Sequence, residues 1–203
     1  MIKVVAFDFD NTLYNGVVDE NYREYMTMVL SKMIKDKDRV NKILDEARTP
    51  DGKYHNESVY LKLKEKGENY RRYNRILKHT LYEHSSTPKI ISAEFLKRLS
   101  KKYYLYLISM SAPNYINHYL KKYGIDKKIF KKCYSVDLNH EPISKAYLYE
   151  KILKREKISK DEMLMVGDNY HDDIETAKEV GIKYLYYNTG DFNQIYDYFK
   201  NLL

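Results

Sequence analysis

The sequence predicts an α/β chain, a doubly wound parallel-sheet core interrupted near its start by an all-helical insertion. Three observations predict it. An apolar run, Val4-Val5-Ala6-Phe7, leads straight into Asp8-Phe9-Asp10-Asn11-Thr12, as a buried strand does when it ends at a polar crevice. From about Asn21 to Glu83 the apolar spacing is helical, with almost no strand-like segment. From Ile90 onward helix-period and strand-like segments alternate, the pattern of βαβ units and hence of parallel strands.

After the first strand, residues 14–20 are short, polar and glycine-containing, and read as a turn or flap. Tyr22, Tyr25, Met26, Val29, Met33 and Ile34 then follow helix spacing, as do Val40, Ile43, Leu44 and Ala47. Thr49-Pro50-Asp51-Gly52 breaks the pattern. A further helical stretch runs from about Glu57 through Tyr60, Leu61, Tyr73, Ile76, Leu77 and Leu81, and Gly67 can interrupt it. Ser85-Ser86-Thr87-Pro88 closes the block. The division expected is therefore 1–14 with 88–203 for the core, and 15–87 for the helical insertion.

In the second half, 90–101 reads as an amphipathic helix and 103–108 as a strand ending at Ser109. Pro113 opens the next helix and Gly124 closes it, the usual asymmetry of helix ends. Residues 132–136 read as a short strand, 144–157 as a helix, and 159–162 as a capping turn. A strand at 163–166 ends in Gly167-Asp168; a helix at 172–180 is stopped by Gly181. Residues 182–187 form the last strand and 191–202 the last helix. Tyr103, Tyr104, Tyr106, Tyr184, Tyr186 and Tyr187 are expected as half-buried sheet residues.

At 203 residues, the chain can bury one full core and a modest inserted unit. With 43% hydrophobic and 32% charged residues it belongs with globular rather than disordered chains. No stretch approaches the roughly 20 apolar residues that span a bilayer, so no membrane partner is expected. The start shows no signal-peptide pattern, and Cys133, the single cysteine, reads as a small buried filler; a cytoplasmic location is expected. The net charge of +7 is interleaved with acidic residues, as on solvated helix faces, and no nucleic-acid motif is present, so nucleic acid is not expected as the partner.

Three strand ends carry polar residues: Asp8 with Asp10, Ser109, and Asp168 with Asp172 and Asp173 just beyond. Lys145 stands near the start of the helix before the third of those strands. In a parallel sheet these ends share one edge, where ligands bind. Each residue also has an ordinary structural use. Asp10 or Asn11 could make an Asx-turn, Ser109 or Asp172 a helix cap, and Lys145 a solvated helix position; His171 reads as a loop-surface histidine. Together, several carboxylates around one point need a cation, and an oxygen-only donor set favours Mg²⁺ over Ca²⁺ or Zn²⁺.

Asp8-Phe9-Asp10-Asn11-Thr12 resembles the first motif of the haloacid dehalogenase (HAD) superfamily of phosphohydrolases. Ser109, Lys145 and Gly167-Asp168-Asn169-Tyr170-His171-Asp172-Asp173 continue that resemblance in order, with Lys145 placed before Asp168 as in its phosphoserine phosphatase branch. The helical insertion resembles the family's helical cap of the first type. The resemblance implies a Rossmann-like core with that cap, and a Mg²⁺-dependent phosphomonoester hydrolase. It implies Asp8 as nucleophile forming an aspartyl-phosphate and Asp10 as general acid, then base. Ser109 and Lys145 would hold phosphoryl oxygens, with Ser111 as the substitute because Met110 follows Ser109. Mg²⁺ would be held by Asp8, the Asp10 backbone carbonyl, Asp168 and a second acid, Asp173 ahead of Asp172. Glu141-Pro142 stands where many relatives have Lys-Pro. The family's dehalogenases, which attack carbon, lack the acid that Asp10 supplies. The implied substrate is a small phosphorylated metabolite, of the sugar phosphate or nucleoside monophosphate class, met by Tyr22, Tyr25, Arg71, Arg72 and Tyr73 of the cap. A phosphomutase would share these residues; a non-catalytic binding module on the same fold is the alternative of a different class.

Overall fold

The structure is a computed structural model that describes residues 1–15, 19–48, 56–79, 89–111, 113–135, 144–187 and 191–200. In chain order the elements are β1 (Val4–Phe7), β2 (Tyr14–Asn15), α1 (Asp19–Ser31), α2 (Lys37–Ala47), α3 (Asn56–Glu65), α4 (Tyr70–His79), β3 (Lys89–Ile90), α5 (Ala93–Ser100), β4 (Tyr104–Ile108), α6 (Pro113–Lys122), β5 (Phe130–Tyr134), α7 (Lys145–Glu156), β6 (Met163–Gly167), α8 (Thr176–Val180), β7 (Lys183–Tyr186) and α9 (Asn193–Lys200).

Five strands form a parallel sheet in the order β5-β4-β1-β6-β7. The chain moves outward from β1 through β4 to β5, then crosses to the other side for β6 and β7. The winding therefore reverses at β1, which opens a crevice beyond its C-terminal end. Register brings Phe7 level with Leu107 and Val166, so the residues that follow each strand emerge at one level.

Strand alternation divides the core. Val5, Phe7, Leu105, Leu107, Leu164 and Val166 pack on one face with Leu96, Leu99, Ile116, Tyr119, Ile195 and Phe199 from α5, α6 and α9. Val4, Ala6, Tyr106, Ile108, Met163 and Met165 pack on the other with Tyr149, Ile152, Ala177 and Val180 from α7 and α8. Burial on both faces explains why β1 reads as an unbroken apolar run rather than an alternating one.

Helices α1–α4 build a separate core from Met26, Val29, Leu30, Val40, Ile43, Leu44, Val59, Leu63, Tyr73 and Leu77. In α2 the buried residues are the four the spacing marked, Val40, Ile43, Leu44 and Ala47, and Asp36 caps its start by accepting from the amides of Asp38 and Arg39. Such a cap contributes about 1 kcal/mol. Gly67, at φ +67°, separates α3 from α4. The chain passes between the sheet domain and the helical unit at an antiparallel pair, β2 against β3, with Tyr14 opposite Ile90 and Asn15 opposite Lys89, and α4 also packs against α6.

The structure departs from the sequence expectation in several places. Strands β2 and β3 replace part of the expected turn and the start of the expected helix at 90–101. Helix α5 begins only at Ala93, because Ser92 caps it through a bond from the Phe95 amide. Met33 and Ile34 lie beyond the end of α1, Ile34 still buried. Leu61 is 52% exposed and Leu63 takes the inward place. Strand β5 starts at Phe130, and the helix expected at 172–180 divides into a π-helical turn, Tyr170–Glu175, followed by α8. Tyr106 and Tyr187 are fully buried while Tyr104 and Tyr184 are exposed, and Cys133, on the sheet's edge strand, is half-buried rather than a core filler. The breaks expected at 49–52 and 85–88, residues Leu81, Val136, Glu141 and Pro142, and the side chains of Tyr22 and Arg71 lie outside the described residues. No described helix is long and apolar enough to cross a membrane.

Candidate active site

Among the described residues, the buried polar or charged side chains are those of Asp8, Thr12, Ser109, Lys145 and Asp173. All five gather at the C-terminal edge of the sheet, where such groups persist only if each is paired.

Asp8 follows β1 directly, its amide donating to the Val166 carbonyl at 2.9 Å. The chain then doubles back: the amides of Leu13 and Tyr14 both donate to the Phe9 carbonyl at 2.9 Å, and Asn11 takes a left-handed φ of 55°, which asparagine tolerates. This turn keeps Asp10 and Thr12 beside the crevice. The Thr12 hydroxyl donates to Asp168 Oδ1 at 3.2 Å.

Lys145 is the first residue of α7, which Ser144 caps. Its ammonium donates to Asp8 Oδ1 at 2.6 Å and to Asp173 Oδ1 at 2.5 Å. Asp173 arrives on the π-helical turn, whose start is capped by Asn169 accepting from the amides of His171 and Asp172. The Asn169 amide donates to Asp173 Oδ2 at 3.0 Å. Gly167 makes the room: a Cβ at that position would lie 2.2 Å from Asp173 Oδ2. Asp172 instead accepts from Asn169 Nδ2 at 3.1 Å, and His171 is exposed beside Glu175.

Carboxylate oxygens of Asp8, Asp168 and Asp173 all lie within 4.8 Å of one another. Burial raises the Asp8 carboxyl well above its ordinary value, and the surrounding acids add to burial against the pull of Lys145. Asp173 is likewise raised by burial, and Asp168 is pushed up to about 7 by burial and then by the charge of Asp173. Burial works against the charge of Lys145, but Asp173 and Asp8 outweigh it and the ammonium is held protonated. One lysine against three carboxylates leaves surplus negative charge in an all-oxygen site, which fits a hard divalent cation.

Asp10 stands apart from that group. Its Oδ2 accepts from the Ser111 hydroxyl, while its Oδ1 is buried with no hydrogen-bond partner among the described residues. Burial raises its carboxyl, opposed by the hydroxyls of Ser111 and Tyr115 and by the Lys145 charge. Ser109 directly follows β4; its amide donates to the Tyr134 carbonyl at 3.0 Å and its Oγ accepts from the Ser111 amide at 3.0 Å.

The edge thus brings together Asp8, Asp10, Ser109, Lys145, Asp168 and Asp173. Of the residues expected to meet substrate from the helical unit, two serve that unit instead. The Tyr73 hydroxyl donates to Met26 Sδ at 3.4 Å inside its core, and Arg72 donates to the Lys32 carbonyl at 3.2 Å. Tyr25 is buried; Asp10 and Tyr119, after burial itself, raise its hydroxyl. Sequence reading missed the bond from Thr12 to Asp168, the space that Gly167 leaves for Asp173 and the placing of Tyr115 by Asp10. The first two lie within motifs already singled out; the i, i+4 pair Tyr115 and Tyr119 on α6 was the available signal for the third.

The sequence matches the haloacid dehalogenase-like hydrolase family over residues 2–181. No curated protein matches it. Among solved structures, the fold is similar to Bacillus subtilis YfnB, described as a HAD-hydrolase bound to magnesium, with a TM-score of 0.61, 16% identity, and 98% of this chain and 99% of that one covered. It is similar to a Clostridium difficile protein described as a phosphatase, with a TM-score of 0.57, 22% identity and 97% and 90% coverage. A 2-haloacid dehalogenase from Pseudomonas syringae is similar too, with a TM-score of 0.55, 18% identity and 93% and 87% coverage.

Proposed function

The chain belongs to the haloacid dehalogenase-like hydrolase family, and we propose that within it this protein is a Mg²⁺-dependent phosphatase of small phosphorylated metabolites. The observation that carries this reading is the pairing of two differently held acids at one strand end. Asp8 is bound to Lys145 through one oxygen, whereas Asp10 lies outside the carboxylate cluster with one oxygen unpartnered among the described residues. The first suits a nucleophile and the second a proton carrier. Displacing halide from carbon requires no proton on the leaving group; expelling an alkoxide from phosphorus does. The presence of Asp10 therefore supports a phosphatase over a dehalogenase.

In this reading a carboxylate oxygen of Asp8 attacks phosphorus while Asp10 gives its proton to the leaving oxygen, and the alcohol departs. Asp10, now ionised, takes a proton from water; the water oxygen attacks phosphorus, the bond to Asp8 breaks, and phosphate is released. Lys145 and the Ser109 hydroxyl steady the phosphoryl oxygens. Mg²⁺ would be held by the carboxylates of Asp8, Asp168 and Asp173 and the backbone carbonyl of Asp10, and when bound it supplies neutralisation of phosphoryl charge. The helical unit, residues 15–87, acts as a cap over the core of 1–14 and 88–203, excluding water and choosing the leaving group, of sugar phosphate or nucleoside monophosphate type.

The test is release of phosphate from p-nitrophenyl phosphate and a panel of phosphometabolites, with Mg²⁺ or with EDTA, by wild type and Asp8→Asn. Release that needs Mg²⁺ and vanishes in Asp8→Asn is expected. A folded, Mg²⁺-loaded wild type inert toward the whole panel would overturn the reading in favour of a phosphomutase or a binding module.

A further inference from the structure

Ser111 does not join the group around Lys145; its hydroxyl is bonded to Asp10 Oδ2, 101 residues away in sequence. We propose that Ser111 is the positioning residue for the acid–base Asp10, rather than a second ligand for the phosphoryl group. This rests on the phosphatase reading and goes beyond it.

A serine hydroxyl has one proton to donate. That of Ser111 is given to Asp10 Oδ2. Ser109 differs: its Oγ accepts from the Ser111 amide at 3.0 Å, which leaves its own proton free for a phosphoryl oxygen. The two serines of the loop after β4 thus divide the work, one toward phosphate and one toward the acid. The same amide bond fixes Ser111, so Asp10, on the turn after β1, is tied to the loop of the neighbouring strand. With Oδ2 occupied as acceptor, the acid's proton resides on Oδ1, the oxygen with no hydrogen-bond partner among the described residues. That oxygen is then the one that hands its proton to the leaving group. Without the Ser111 hydroxyl, Oδ2 loses that donor and the proton is no longer confined to Oδ1.

The test compares wild type, Ser111→Ala and Ser111→Thr on two esters. Glycerol 2-phosphate has a leaving group that must be protonated; p-nitrophenolate leaves without a proton. In single-turnover release of the leaving group, Ser111→Ala is expected to slow glycerol 2-phosphate about 10- to 100-fold and p-nitrophenyl phosphate less than about threefold. Ser111→Thr restores the first, and inhibition by inorganic phosphate is the same in all three. Equal losses on both esters with weaker phosphate inhibition would overturn the proposal and make Ser111 a phosphate ligand. No loss on either ester in Ser111→Ala would overturn it as well. A wild type inert toward both esters would overturn the phosphatase reading, and this proposal with it.

Discussion

Lys145 and Asp8, 137 residues apart in sequence, meet in a buried ion pair of 2.6 Å that Asp173 completes from the other side at 2.5 Å. Among the described residues the lysine is thus the one positive charge bonded to these two carboxylates, and removing it leaves both without that partner. Lys145→Met is expected to destabilise the fold by about 3–5 kcal/mol, the range for a buried pair that loses one partner. Phosphatase activity should fall by about 10²–10³ or more. Added Mg²⁺ should recover part of the stability and none of the activity. Lys145→Arg should not rescue turnover, since a forked guanidinium does not fit a slot shaped for one ammonium. Urea denaturation with and without Mg²⁺, beside steady-state kinetics, checks each part.

The missing Cβ of Gly167 is the space Asp173 occupies. Gly167→Ala puts a methyl 2.2 Å from Asp173 Oδ2, on a turn fixed by the Asn169 cap, so the carboxylate must move. Mg²⁺ affinity is expected to weaken about 10- to 100-fold. Activity titrated against Mg²⁺ should show a shifted midpoint with much of its plateau retained at saturating metal.

A cation that binds the folded chain alone must also stabilise it. At a Mg²⁺ concentration about 100 times its Kd the gain is about 2.7 kcal/mol, visible as a rise in Tm over the EDTA-treated protein. Asp168→Asn removes one of the three gathered carboxylates and should abolish most of that rise. Thermal melts of both proteins, with Mg²⁺ and with EDTA, measure it without reference to turnover.

A pH effect is expected far from the site. The Glu156 side chain is 4% exposed and accepts from Lys131 and from the Tyr106 hydroxyl. Burial raises its carboxyl, but those bonds outweigh burial and the net direction is below 4.5. A carboxyl depressed by folding adds stability that is whole above its unfolded value and is lost as the pH falls through its folded one. Glu156→Gln should therefore melt below wild type near about pH 7, and the gap should narrow steadily below about pH 4.5. Melts across that range decide it; a gap that does not change with pH would trace the difference to packing.

Much of the frame was legible because it rests on periodicity. The apolar run of β1, buried on both faces, and the spacing of Val40, Ile43, Leu44 and Ala47 are local patterns that tertiary structure left alone. The strands β2 and β3 were not legible, since two residues carry no period and the pairing exists only because the chain returns after the helical unit. Leu61 misled for a related reason: helix spacing marks a face only after the neighbouring helix is known, and here Leu63 turns inward. In the site, motif order pointed to Asp8, Asp10, Lys145 and Asp168, which the edge brings together. The bond that ties Ser111 to Asp10 had no sequence signal, because it joins loops after two strands that become neighbours only in the sheet.

The β2–β3 pair has a consequence for how such a chain can diversify. Asn15 and Lys89 face each other as antiparallel partners, so the polypeptide leaves the sheet domain and rejoins it at the same place. Paired residues of that kind have Cα atoms about 5 Å apart, a gap that a two-residue turn bridges. The intervening helices are thus a modular attachment on a closed ring of chain. With the proposed role of that unit as a cap, exchanging it at this crossing, with the α4–α6 contact rebuilt, would alter substrate choice while β1, β4 and the acids at their ends stay where they are.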